Sequence, residues 1–323
     1  MRLVIYGAGA IGGVVGARLH QAGHDVVLIA RGDHGWAIAS AGLRLDTADG
    51  SVTLPVPVVA HPAELDLGPD DVVVLTMKTQ DTIDALDALG RHASPATPIV
   101  CMQNGVESER LALRRFAAVY AVCVMCPATH LEPGVVEASS SPVTGLLDIG
   151  RYPAGTDAVA DAVAAALAAS TFESIVRPDI MRWKYAKLLM NLGNAAEAAC
   201  GRDARQSDVV ARARREGVAC LRAAGIDVAS KEEDEARRGD LLRMTPINGR
   251  ERGGGSSWQS LQRGTGTIEA DYLNGEIVLL GRRHDVPTPV NEVLQRLAGR
   301  LAHDRIPAGS MRVEDLEALV PAP

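Results

Sequence analysis

An α/β domain followed by an all-helical one is the fold class that this sequence predicts. Three observations carry the prediction. An apolar run at residues 3–6 meets a glycine-rich turn, "GAGAIGG", at 7–13. Apolar strand-like runs then alternate with helical stretches to about residue 178, the signature of a doubly wound sheet. Past that point the helical period continues and no convincing strand returns. A chain of 323 residues is long for one hydrophobic core. The expected division is an α/β domain over 1–178 and a helical domain over 179–323.

The pattern opens as β-turn-α-β. The run at 3–6 is followed by the glycine turn, a helix through "VVGARLHQAG" closed by Gly23, and a strand "DVVLIA" at 25–30. In this frame G-x-G-x-x-G has a specific physical meaning. Gly7 permits the tight turn, Gly9 lets a pyrophosphate approach the backbone, and Gly12 lets helix and strand pack closely. The helix N-terminus then offers free N–H groups and a positive dipole end to phosphate. Gly7, Ala8, Gly9, Ala10, Ile11 and Gly12 are therefore the expected dinucleotide-binding loop of a Rossmann-type domain.

Strands are expected next at 52–60 and 71–77, and at 98–105, where the run ends in Asn104-Gly105. The runs "VYAVCVM", "GVVEA" and "VTGLLDIG" continue the β pattern to about residue 150. A helix at 157–170 and a strand at 172–177 complete the domain. Pro178-Asp179 marks the change, with Asp179 as a cap and one helix running to Cys200 before Gly201. Further helices are expected at about 207–225, 230–243, 257–281 and 288–303. The Gly/Arg-rich stretch 244–257 reads as a mobile loop or as a lid.

A net charge of −7 argues against a general nucleic-acid or anionic-membrane binder. No apolar stretch reaches the roughly 18 residues that span a bilayer. The N-terminus enters a strand with no basic segment before it, so a cytoplasmic protein is expected. The five cysteines are scattered and odd in number, which is not a disulfide framework. "CVMC" at 123–126 stands in an apolar run without a second C-x-x-C, so buried thiols are expected and no metal site.

The cofactor follows from the end of the second strand. An NAD site usually places Asp or Glu there for the ribose hydroxyl. Here Ala30 and then Arg31 stand at that end. A guanidinium favours the 2′-phosphate of NADP(H). Lys78, just past the strand at 71–77, adds a second positive charge. Solvated loop positions are the plainer reading of both; Asp33 is the alternative ribose acid, though it lies three residues beyond the strand end at Ala30.

On a helix over 183–200, at about 100° per residue, Lys184, Lys187, Asn191 and Asn194 fall on one face. Lys187 and Asn191 are an i, i+4 pair. A polar stripe on an apolar helix suits a ligand cleft, or else a face turned to solvent. Lys184 has only Leu188 at that spacing, so its ammonium is expected in water at the rim.

Together, "GAGAIGG", the Asn104-Gly105 pair, the Lys187-x-x-x-Asn191 spacing, "SSWQSLQRGTGTIEADYLNG" at 256–275 and "VPTPVN" at 286–291 resemble the ketopantoate reductases. These are the 2-dehydropantoate 2-reductases of pantothenate synthesis. The resemblance spans nearly the whole chain. It implies a Rossmann domain followed by a helical domain like that of 6-phosphogluconate dehydrogenase. It implies Lys187 as the catalytic acid and Glu269 as an active-site carboxylate. Asn104, Asn191, Asn194 and Ser257 would be polar groups on the substrate side, Asn104 also facing the cofactor. The plainer readings are a surface helix position for Glu269 and a helix cap for Ser257.

The expected activity is NADPH-dependent reduction of a small 2-keto acid, 2-dehydropantoate by the resemblance. A paralogue acting on another 2-keto acid and a non-catalytic NADP(H) sensor are the alternatives. A sensor has no need of Lys187 with Asn191 and Glu269 together. No nucleic-acid or membrane partner is expected. The sequence leaves the oligomeric state open, a homodimer being one state it allows.

Overall fold

The structure, a computed structural model, describes residues 1–322. By contacts the chain divides into two compact units. One comprises Met1–Lys184 with Ser230–Arg252, the other Tyr185–Ala229 with Gly253–Pro323. The expected division was a single boundary after residue 178. Here a later segment returns to the first unit.

The first unit is built on strands β1 (Arg2–Tyr6), β2 (Val26–Ile29), β3 (Leu43–Thr47), β4 (Gly50–Leu54), β5 (Val58–Val59), β6 (Asp71–Leu75) and β7 (Ile99–Cys101). These are followed by β8 (Val119–Met125), β9 (Ala128–Thr129), β10 (Val135–Ala138), β11 (Ser140–Pro142), β12 (Gly145–Arg151) and β13 (Phe172–Glu173). Helices α1 (Ala10–Gln21), α2 (Gly32–Ala41), α3 (Thr82–Leu89), α4 (Ser108–Leu113) and α5 (Ala158–Ala168) lie between them.

The main sheet has the order β5-β2-β1-β6-β7-β8-β12-β13. Its pairs are parallel except β8 with β12, which is antiparallel. The near-continuous apolar strands are explained by burial on both faces. Leu3, Ile5, Leu28, Val72 and Val74 join Val14, Val15, Leu19, Val163 and Leu167 of α1 and α5 in one core. The alternate residues Val4, Ile29, Val73, Leu75 and Ile99 join Leu86, Leu89, Ala112 and Phe116 on the other side. Helices thus cover both faces, as a doubly wound sheet requires.

A second sheet has the order β4-β3-β10-β9. The expected strand at 52–60 is divided between β4 and β5, the break falling at Pro55, whose residue type cannot donate to a ladder. The expected strand at 172–177 is short: β13 ends at Glu173 and only a bridge from Val176 to Ile149 continues it.

Past residue 179 come α6 (Ile180–Asn191), α7 (Asn194–Cys200), α8 (Asp208–Ala223), α9 (Lys231–Arg238), strand β14 (Leu242–Met244), α10 (Ser256–Gln262), α11 (Asn274–Arg283), α12 (Pro289–His303) and α13 (Val313–Glu317). Three expectations need correction. The helix to Cys200 is two helices, broken at 192–193. The Leu192 carbonyl freed there accepts from Asn274 Nδ2 at 3.1 Å, and Gly193 lies close under Val210. The expected helix at 257–281 is also divided, with a 3-10 turn at Glu269–Tyr272 between α10 and α11. Finally, a strand does return: β14 pairs antiparallel with β11.

The second unit is packed by the stripes its sequence announces. Val209, Val210, Ala213, Gly217, Cys220 and Leu221 form the buried face of α8. Val290, Leu294, Leu297, Ala298 and Leu301 form that of α12. Both follow the i, i+3, i+4 spacing of an amphipathic helix. A buried polar chain crosses this core. Asn274 Nδ2 donates to Asn291 Oδ1 at 3.0 Å, and Asn291 Nδ2 donates to Glu216 Oε2 at 2.8 Å.

Candidate active site

Between β1 and α1 the chain turns at Gly7 with φ of 102°, a left-handed conformation that favours glycine. A Cβ on Gly12 would overlap the Gly7 carbonyl oxygen and Thr76 Oγ1. Thr76 Oγ1 in turn donates to the carbonyls of Tyr6 and Gly7, at 3.0 and 2.7 Å. The turn is thereby fastened to the end of β6, the neighbour of β1 at the point where strand order reverses. Ligands of open α/β sheets bind at that point. The α1 N-terminus at Gly9 carries no side-chain cap and no acidic residue in its first turn. Apart from Gly9 and its two chain neighbours, no atom of the described residues lies within 4 Å of the place a Gly9 Cβ would occupy. A dinucleotide pyrophosphate fits this combination of uncapped N–H groups and open space.

A cavity of about 350 Å³ opens beside the turn. Gly7, Ala8, Gly9, Arg31, Thr76 and Lys78 contribute to its wall, with His34 and His61. The structure therefore brings Arg31 and Lys78 to the same cavity as the glycine loop. Arg31 is exposed and Lys78 half-buried. Burial pushes the Tyr6 phenol up, and the Arg31 charge opposes that rise. Ala10 and Ile11 begin α1 and pack on the core below.

His34 escaped the sequence reading. Its Nδ1 accepts from the Gly134 N–H at 2.9 Å, so the ring proton sits on Nε2, which donates to the Ala8 carbonyl at 2.7 Å. The imidazole pins the glycine loop to the segment before β10. No local pattern signals this, because its partners lie 26 and 100 residues away.

Asn104 is not part of the cavity wall. It sits half-buried past β7, and its carbonyl accepts from Thr79 Oγ1 at 3.3 Å. Its neighbour Gln103 is buried and donates through Nε2 to the Met77 carbonyl and Thr82 Oγ1, at 2.9 and 2.8 Å. The two strand exits bearing Lys78 and Asn104 are thus tied together.

Lys184 overturns an expectation. Its ammonium is not in water. The side chain is 2% exposed and paired with Glu109, itself 0% exposed, through Oε1. It also donates to the Gln103 carbonyl at 3.0 Å. A buried lysine needs such partners, and Glu109 is 75 positions away in sequence. Burial, then the Glu109 charge, hold the adjoining Cys101 thiol well above its usual range, with Lys184 opposing.

In the second unit, Lys187 is half-buried on α6 and Asn191 stands one turn on, buried. Asn194 does not continue their stripe. It starts α7, and its Oδ1 accepts from Arg205 Nη2 at 2.7 Å. The same nitrogen donates to Glu197 Oε2 at 2.7 Å, while Glu197 Oε1 accepts the Gly255 N–H at 3.2 Å. That network, absent from the sequence reading, fastens the chain that enters α10. Ser257 is buried in the first turn of α10 and is not its cap; Gly255 is. Glu269 opens the 3-10 turn and is 2% exposed, which removes the surface-position reading.

The C-x-x-C thiols go to separate carbonyls, Cys123 to Trp183 and Cys126 to Thr144, each at 3.6 Å. Burial pushes Cys126 up to about 12, as for an inert packed thiol. Among the described residues no group of three His, Cys, Asp or Glu is placed to hold a metal ion. No described helix is long and apolar enough to cross a membrane.

Comparison with known proteins places this arrangement. The family model described as ketopantoate reductase PanE/ApbA matches residues 3–153, and its C-terminal counterpart matches 179–302. The 2-dehydropantoate 2-reductase of Halobacterium salinarum is 30% identical, over 94% of this chain and 99% of that protein. That of Pyrococcus abyssi is 31% identical, over 91% and 95%. The crystal structure of a PanE/ApbA family ketopantoate reductase from Ralstonia eutropha JMP134 superposes with a TM-score of 0.77 at 29% identity, covering 94% of this chain and 99% of that one. With a glycine turn at the switch point of its sheet and both family models matched in order, the chain belongs to the ketopantoate reductase family.

Proposed function

We propose that the protein reduces 2-dehydropantoate to pantoate with NADPH, a step of pantothenate synthesis in the cytoplasm. The observation that carries the reading is the placement of Lys187 and Asn191 one turn apart on α6 in a chain whose glycine turn opens on a cavity walled by Arg31 and Lys78. NADPH, when bound, supplies the hydride that reduces the ketone carbon. The rest is the work of this chain's own residues.

Arg31 meets the 2′-phosphate through a charge-assisted contact, and the first N–H groups of α1 face the pyrophosphate. The Lys187 ammonium donates to the ketone oxygen, stabilises the charge developing there and delivers the proton. Asn191 holds the ammonium or the substrate from one turn on. Glu269 accepts a hydrogen bond from the substrate hydroxyl, a demand that favours a hydroxylated keto acid over one without that group. Asn104 and Ser257 serve this reading as polar contacts for substrate and cofactor.

The test is NADPH oxidation across a panel of small 2-keto acids, by the wild type and by Glu269→Ala. The expected result is preference for 2-dehydropantoate, and in the variant a KM rise confined to hydroxylated substrates. Efficient turnover of a different keto acid, with 2-dehydropantoate inert, would overturn the substrate assignment.

A further inference from the structure

We infer that Lys184 is a positioning residue for the cofactor side of the site. Its ammonium anchors the strand exit before Asn104, which the Gln103 side chain ties to the exit before Lys78. The inference rests on the proposed function, with Asn104 as a polar contact and Lys78 as a second positive charge on the cofactor side.

Three contacts carry it. Lys184 donates to the Gln103 carbonyl at 3.0 Å, which fixes the backbone one residue before Asn104. The Gln103 side chain donates to the Met77 carbonyl at 2.9 Å, which fixes the backbone one residue before Lys78. Thr79 Oγ1 then reaches the Asn104 carbonyl at 3.3 Å. The buried ammonium therefore fixes the Gln103 backbone at the end of β7, and the Gln103 and Thr79 side chains carry that position across to the end of β6. Glu109, on α4, pairs with that ammonium and holds it in place.

Stability alone does not account for the arrangement. Removing two charges from water is so unfavourable that a well-packed apolar pair often serves as well or better. The cluster around this pair also leaves acceptors orphaned. Glu109 Oε2 and Gln103 Oε1 are buried with no hydrogen-bond partner. An apolar pair could fill the space, but it could not donate to the Gln103 carbonyl. That directed bond is what the ammonium adds, and misplacement of groups at a reacting centre by about 1 Å can slow a reaction about a hundredfold.

The test compares the single variant Lys184→Met with the double variant Lys184→Met/Glu109→Leu. Thermal melting, NADPH affinity by calorimetry, and kcat and KM are measured for each. The single variant strands the Glu109 charge and melts early; the double removes both charges and regains most of the melting temperature. In the double variant NADPH affinity and kcat stay down by about tenfold, because the bond to Gln103 is still missing. A double variant with wild-type affinity and kcat would reduce the pair to scaffolding and overturn the inference.

Should the double variant fold poorly, Glu109→Gln gives a second reading. It keeps the donor to Gln103, so its loss of kcat is about threefold, against about tenfold for Lys184→Met; equal losses overturn the inference. Asn104→Ala and Lys78→Ala serve as the reference. If neither alters NADPH affinity or kcat, the cofactor-side reading itself fails. If they do and the Lys184 variants do not, only the positioning role fails.

Discussion

Arg205 donates to Asn194 at 2.7 Å, binding the first residue of α7 to the 3-10 turn Arg202–Gln206 that follows the helix. The asparagine oxygen is thus engaged within the second unit, whatever its amide group does for substrate. Asn194→Ala removes an acceptor from a charged donor, which removes about 1.5–3 kcal/mol of stability. Denaturant unfolding measures this. A variant as stable as the wild type would show that the bond contributes nothing.

Lys187 carries the chemistry in the proposed mechanism. Lys187→Ala lowers kcat by roughly 10²–10⁴-fold. NADPH affinity, measured by calorimetry, stays near wild type, since the glycine turn, Arg31 and Lys78 all belong to the other unit. Comparable loss of affinity and kcat would point to collapse of the fold around α6 rather than to a missing acid.

Cofactor choice turns on Arg31. Arg31→Ala weakens NADPH binding about tenfold while sparing NADH, since only the former has a 2′-phosphate to lose. Direct titration with both nucleotides decides it. A wild type that binds them equally well contradicts the assignment.

Acid stability turns on Asp148. Burial pushes its carboxyl up, but hydrogen bonds from Arg237 and Arg177, at 2.7 and 2.6 Å, outweigh burial and hold it below the usual carboxylate range. A depressed folded value means the stabilisation is present above the unfolded value of about 3.9 and is lost as pH falls through the folded one. Asp148→Ala leaves two guanidinium groups without their carboxylate and removes about 3–5 kcal/mol near neutral pH. Urea unfolding at a series of pH values should show the gap between wild type and variant closing in acid. A gap that does not narrow would mean packing, not charge, is lost.

What was legible in the sequence, and what was not, divides along a physical line. The glycine turn, the buried strands and the apolar stripes of α8 and α12 are local patterns, set by periods of two and of 3.6 residues. Arg31 could be named because it follows a strand end, which is also local. Lys184 could not be placed, since Glu109, the partner that lets a lysine be buried there, is remote in sequence. The break at 192–193 was hidden for the same reason: Asn274, which satisfies the freed carbonyl, lies 82 positions on. Strand β14 was missed because "LRM" alone has no alternation to read, and only β11 makes it a strand.

The return of Ser230–Arg252 to the first unit constrains how this protein comes into being. A fragment ending at residue 184 would lack β14, the ladder partner of β11, and Arg237, which reaches Asp148. During synthesis the amino-terminal half therefore emerges as an unfinished body. Those two contacts form only after residue 244 has left the ribosome, when α6, α7 and α8 have already been made. A nucleotide-binding module cut from this chain at residue 184 would leave β11 and Asp148 without these partners, and restoring them means joining the second segment to the first.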